Sequence, residues 1–233
     1  MKSSLPRIDI LMAGNTLPEV RKRFGEFHDW YMERPQLPAN YRVITAYNGN
    51  PLPDFHESDG WIITGASESV NDPLPWLPDA RGRIAAAVDA GHAILGVCFG
   101  HQLLSSSLGG TVIKNPAGWE LGQVEVFLTA DGVKSALLEG LHSPSHVYAT
   151  HREIVDSPPA DAVILAENDM GLQAQQVGPR AYGVQFHPEF TAAIATVYAE
   201  LRGASGTVGP GALHGAGDAG SQVLTNFIKI VSH

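Results

Sequence analysis

Short, largely apolar runs recur through the first half of the chain at Ile8–Met12, Tyr41–Tyr47, Trp61–Thr64 and His92–Val97. Their brevity, with few polar residues interrupting them, predicts strands covered on both faces, as in a parallel sheet. Between them, Leu17–Trp30 and Pro78–Ala90 space their apolar residues for one helical face and put charges on the other, which predicts amphipathic helices. From Thr111 the pattern tightens into closely spaced strands at Thr111–Lys114, Gln123–Thr129, Val147–Thr150, Val163–Ala166 and Leu172–Val177, with few helices between. Tyr182–Phe186 reads as one more buried strand. Val223, Leu224, Phe227, Ile228 and Val231 share one face of a final helix. The expected architecture is a doubly wound α/β sandwich whose mostly parallel central sheet is completed by an antiparallel extension. Residues 1–233 read as a single domain, with 203–220 as a Gly-rich mobile loop.

Composition narrows this picture. A chain of 233 residues that is 44% apolar suits one domain with a large core. The net charge of −9 comes from scattered carboxylates, which argues against nucleic acid or an anionic membrane surface as partner. A single cysteine excludes an intrachain disulfide framework and fits a reducing, cytoplasmic setting. The start of the chain enters a strand without an apolar leader region, and no apolar stretch approaches about 18 residues, so neither a signal peptide nor a membrane span is expected. The histidines show no familiar metal-ligand spacing, and no cofactor is implied. Gly215-Ala216-Gly217-Asp218-Ala219-Gly220 fits a dinucleotide glycine pattern but lacks the preceding strand and the following acid; it reads as loop before the last helix.

The lone cysteine lies in Gly96-Val97-Cys98-Phe99-Gly100, directly after the His92–Val97 run. A nucleophile between two small residues at a strand-to-helix junction is the pattern of a nucleophile elbow, here with cysteine. Gln102–Leu108 reads as a short helix stopped at Gly109-Gly110. Cys98 would then stand at a helix N-terminus, where the dipole favours thiolate. The other reading of these five residues is a tight turn around an inert buried cysteine. His101, one residue past the elbow, suits packing or solvent contact.

A second segment bears on that choice. The Tyr182–Phe186 strand runs into His187-Pro188-Glu189. Proline keeps the residue before it extended, and in an extended chain positions i and i+2 point the same way. A general base and a carboxylate able to orient it thus leave the strand end together, as a weak nucleophile requires. Alone, this is also an ordinary strand end with a turn proline; beside the elbow, the catalytic reading is preferred.

These two segments, Gly96–Gln102 and Gly183–Glu189, resemble the signature blocks of class I (triad-type) glutamine amidotransferases, in the manner of the GMP synthase glutaminase domain and of stand-alone relatives, some of them γ-glutamyl peptidases. The resemblance runs from about Ile8 to about Val231. It implies a flavodoxin-like fold with Cys98 as nucleophile, His187 as base and Glu189 as its orienting acid. Trp61–Val70 looks like the family's oxyanion strand, which implies a hole formed by the Gly65–Ala66 region and the backbone N–H of Phe99. Ala149–Val155 resembles the family's substrate-gripping segment, so Thr150, His151 and Arg152, together with Gln102, are implied substrate contacts. Two positions depart from the family pattern: Thr150 replaces serine and Arg152 replaces glycine, which puts strict selectivity for free glutamine in doubt. Gly118-Trp119-Glu120-Leu121-Gly122 is similar to a stretch of the stand-alone relatives, and reads equally as a turn with one aromatic anchor.

The expected activity is cysteine-dependent hydrolysis of a γ-glutamyl amide through a thioester, in glutamine or a related small γ-glutamyl compound. The ammonia would go to a separate synthetase, since the chain has no residues left for one. Arg152 leans toward the alternative, an autonomous γ-glutamyl peptidase. A non-catalytic regulatory subunit and a cysteine-based redox protein are further alternatives; the intact Cys–His–Glu set counts against both.

Overall fold

Trp61 and Ile63 face one apolar cluster while Ile62 faces another, and the same alternation sends Leu11 and Ile94 to one side and Ile10, Met12 and Leu95 to the other. Strands buried in this way need helices on both faces. The computed structural model, which describes residues 5–203 and 219–233, supplies them. Strands β1 (Arg7–Met12), β2 (Asn40–Thr45), β3 (Gly60–Ile63), β4 (Ala93–Val97) and β11 (Ala181–Val184) form the parallel half of a nine-stranded sheet. The antiparallel half consists of β6 (Glu120–Leu128), β7 (Ser145–His151), β9 (Val163–Asn168) and β10 (Gly171–Val177). The order across the sheet is β2-β1-β3-β4-β11-β10-β9-β6-β7, and β5 (Thr111–Lys114) pairs with β8 (Glu153–Ser157) in a separate ribbon. Helices α1 (Pro18–Phe24), α2 (Phe27–Glu33), α5 (Ala192–Leu201) and α6 (Ala219–Val231) supply apolar side chains to one cluster, and α3 (Leu77–Asp89) and α4 (Phe99–Ser107) to the other. The expected doubly wound sandwich with an antiparallel extension is the fold observed. Among the described residues, no helix is long and apolar enough to cross a membrane.

Three local expectations change. The single helix predicted over Leu17–Trp30 is two: Gly25 adopts φ 84°, and Glu26 caps α2 through a reciprocal box with Asp29. The strand predicted through Tyr47 ends at Thr45, and Ala46–Asn48 form a single 3₁₀ turn. Helix α5 lies where no helix was expected. Its sequence is so apolar that it shows little polar face, yet Thr191 caps it by accepting from the Ile194 amide. The Gly-rich stretch predicted as a loop falls, apart from its flanks Gly203, Ala219 and Gly220, outside the described residues.

Candidate active site

The β4–α4 junction puts Cys98 at φ 52°, the one non-glycine residue with positive φ among those described, directly before the first helical residue, Phe99. Such a conformation costs a non-glycine residue on the order of 1–3 kcal/mol and persists only where its surroundings enforce it. The flanking glycines do the enforcing by closeness: a Cβ on Gly96 would run into the Gly100 carbonyl, and one on Gly100 into the Ile63 carbonyl. The elbow glycines therefore let α4 lie against β3 and β4, and the strained turn falls on the cysteine itself. Cys98 is nearly buried, with its amide bonded to the Val184 carbonyl of β11 at 2.9 Å.

His187 follows the carboxyl end of β11, the strand beside β4. Its amide donates to the Tyr148 carbonyl at 2.7 Å, and its Nδ1 donates to Glu189 Oε1 at 2.7 Å. The imidazole stacks on Phe190 at 4.1 Å between centroids and lies parallel to Phe27 at 6.3 Å. Its Nε2 is buried and has no regular hydrogen-bond partner among the described residues. Burial works against a charged imidazole, yet the Glu189 carboxylate and Cys98 outweigh it, and the His187 pKa is raised. Glu189 is fully buried beneath α2, where the Tyr31 phenol is pushed well above its ordinary pKa by burial and then by the Glu189 charge, so it stays neutral beside the carboxylate. Gly220 at the start of α6 packs on the Pro188 carbonyl so tightly that a Cβ there would collide with it.

The Gly65 turn after β3 completes this end of the cleft. A Cβ on Gly65 would stand 2.9 Å from His187 Cε1. The turn is held by Thr64, whose Oγ1 accepts from the Ala13 amide at 3.0 Å. Ala66, Phe99, Gln102, Thr150, His151 and Arg152 line the same cleft as Cys98. The sequence-predicted site residues thus gather at the carboxyl ends of β3, β4 and β11, on the first turn of α4 and at the end of β7. Their local roles differ. Gln102 Nε2 donates to the Glu153 carbonyl (2.9 Å) and to Gln185 Oε1 (3.1 Å), which ties α4 to β8. His151 Nε2 meets Glu120 Oε2 at 2.7 Å and its Nδ1 meets the Glu153 carbonyl at 3.1 Å, so both ring nitrogens are engaged. Glu120 also accepts from Asn168 and Gln173. Burial alone would raise its pKa, but these hydrogen bonds and the His151 ring lower it. Thr150 Oγ1 is buried without a partner among the described residues, and Arg152 is exposed where it lines the cleft.

Sequence reasoning missed Tyr31, Phe27, Phe190, Lys114, Glu153 and Arg202. The first three are buried around the His187–Glu189 pair; the last three line the cleft. The aromatic spacing of α2 hinted at Phe27 and Tyr31, and Glu153 lies inside the Ala149–Val155 segment without having been singled out.

A doubly wound sheet that holds a strained cysteine at its carboxyl ends, next to a buried histidine–carboxylate pair, is an α/β architecture built around an elbow. The family model "Glutamine amidotransferase class-I" matches residues 38–196, and the chain belongs to that family. Gamma-glutamyl peptidase 5 of Arabidopsis thaliana is 28% identical over 197 residues, covering 82% of this chain and 78% of that protein. The glutamine-hydrolyzing GMP synthase of Aeropyrum pernix is 34% identical over 142 residues, covering 60% of this chain and 25% of that one, so the chain spans about a quarter of that synthase's length. The crystal structure of a glutamine amido transferase from Methylobacillus flagellatus superposes with a TM-score of 0.71 at 21% identity, over 99% of this chain and 93% of that one, which establishes likeness of fold.

Proposed function

We propose that the protein hydrolyses the γ-glutamyl amide of glutamine or a related γ-glutamyl compound through a thioester on Cys98. The observation that carries this reading is the uneven engagement of His187: Nδ1 is held by Glu189, while Nε2 has no other partner among the described residues and the ring interacts with the elbow cysteine. The raised pKa of His187 favours its charged form, and transfer of the thiol proton to this ring generates the attacking thiolate. The thiolate attacks the amide carbon, and the developing oxyanion takes hydrogen bonds from the backbone N–H groups of Phe99 and the Gly65–Ala66 turn. His187 then gives its proton to the departing nitrogen as the C–N bond breaks, leaving the thioester and releasing ammonia or an amine. A water molecule, deprotonated by the now neutral His187, attacks the thioester, and glutamate leaves as the thiol sulfur recovers its charge. Glu189 keeps Nδ1 protonated and the ring oriented throughout.

Two fates of the nitrogen are open to such a site. One passes ammonia to a separate synthetase, as the likeness to GMP synthases suggests. The other is autonomous peptidase action, favoured by likeness to a γ-glutamyl peptidase over most of both chains and by Arg152 in the lining of the cleft. Glutamate release from glutamine and from γ-glutamyl dipeptides, with and without candidate synthetases, distinguishes them. Turnover of the dipeptides by the isolated protein supports the peptidase; silence until a synthetase is added makes it a subunit. Hydrolysis that survives Cys98→Ala would remove the mechanism.

A further inference from the structure

Arg202 ends α5, and its guanidinium carbon lies 4.4 Å from the centroid of the Trp119 ring and 5.9 Å from that of Tyr198. Arg202 and Trp119 both line the cleft that holds Cys98. The Arg202 Nε is buried and meets no hydrogen-bond acceptor among the described residues. Burial lowers the pKa of the guanidinium, while Tyr198 and Cys98 counter that effect. A guanidinium braced on an aromatic face with an unanswered donor matches a planar carboxylate.

The charges of the cleft point the same way. Its lining holds three cationic side chains, Lys114, Arg152 and Arg202, against the two carboxylates of Glu68 and Glu153, in a chain whose net charge is −9. Glu153 is already engaged with the Ser69 hydroxyl at 2.8 and 2.9 Å, and His151 is engaged with Glu120. The α-amino and α-carboxylate groups of a glutamyl moiety use one charge of each sign, which leaves the cleft with cationic excess. Free glutamine offers nothing further. A γ-glutamyl amino acid carries a second carboxylate beyond the scissile amide. Helix α5 starts shortly after the His187–Glu189 turn and carries Arg202 to the cleft, and the leaving nitrogen departs toward His187, which protonates it.

We propose that Arg202, braced on Trp119, binds a carboxylate on the leaving group, so that the preferred substrates are γ-glutamyl amino acids or peptides with a free carboxylate. This inference rests on the γ-glutamyl hydrolase reading of the site. The test compares kcat/KM for γ-glutamylalanine, γ-glutamylalaninamide and glutamine in the wild type, Arg202→Gln and Arg202→Lys. The wild type should prefer the free acid over its amide by about tenfold or more, as a charge-assisted contact implies. Arg202→Gln should bring that ratio to near unity, chiefly through KM for the acid, and Arg202→Lys should keep part of it. Equal use of acid and amide by the wild type, or a preference that survives Arg202→Gln, would overturn the role of Arg202 while leaving the hydrolase reading intact. No glutamate from any of the three compounds, with the wild type folded by circular dichroism, would overturn both.

Discussion

Two buried histidine–glutamate pairs are each closed at 2.7 Å, and they do different things. In His187–Glu189 the carboxylate takes Nδ1 and leaves Nε2 unclaimed beside Cys98. In His151–Glu120 the carboxylate takes Nε2, and the Glu153 carbonyl takes Nδ1. The second ring has no nitrogen left to move a proton. It fastens β6 to β7, where Glu120 and His151 are register partners, and it holds the backbone of Glu153, a lining residue of the cleft, through the Glu153 carbonyl. A buried pair alone therefore does not mark a catalytic base; the spare nitrogen does.

Breaking the first pair should cost far more activity than breaking the second. Cys98→Ala, which removes the group that His187 serves, should lower kcat by about 10⁵ or more without loss of fold in circular dichroism. Glu189→Gln should lower it by about 10³, because an amide can offer N–H to Nδ1 and so favour the wrong tautomer. Gly65→Ala, whose Cβ would press on His187 Cε1, should lower kcat by about 10–100-fold through displacement of the ring. Glu120→Gln should instead show itself in unfolding, at about 1–3 kcal/mol, with kcat much nearer the wild type than in Glu189→Gln. Arg152→Gly should give the smallest effect, a shift of about 2–5-fold toward glutamine in the ratio of kcat/KM values.

The two pairs should also respond to pH in opposite directions. The His187 pKa rises on folding to about 10, so the stabilisation it brings is complete below its ordinary 6.5 and is lost as pH climbs through the folded value. The gap in unfolding free energy between the wild type and His187→Gln should therefore narrow from neutral to alkaline pH. Glu120 is depressed in the fold, so its stabilisation is complete above the ordinary 4.5 and is lost as pH falls through the lower folded value. The gap between the wild type and Glu120→Gln should narrow on the acid side. Parallel pH dependence of the two gaps would mean that the pairs are equivalent after all.

The same contrast explains what could be read along the chain. Cys98 with its two glycines, and His187 with Glu189 two residues on, are local patterns, each set by a strand end and its turn. The parallel strands β1, β3, β4 and β11 were legible because both their faces are buried, whereas β2, at the edge of the sheet, is not covered on both faces, contrary to what its apolar run predicted. Glu120 and His151 meet only through the register of the β6–β7 pair, which no short motif announces. Arg202 lies at the end of α5, a helix hidden by its own apolarity. The break between α1 and α2 depends on Gly25 and on a glutamate cap, a residue outside the usual capping set. The elbow glycines were legible as small residues, but that they serve by closeness of packing is revealed only by the positions of Gly100 and Ile63.

The claim that the spare nitrogen of His187 serves Cys98 is tested most directly by acid-quenching the protein during turnover of γ-glutamyl-p-nitroanilide and measuring the mass of its peptides. The account predicts a γ-glutamyl adduct on the Cys98 peptide of the wild type, formed together with the released amine, and none in Cys98→Ser or His187→Gln. Release of the amine with no adduct on Cys98, or with the adduct on another residue, would contradict it.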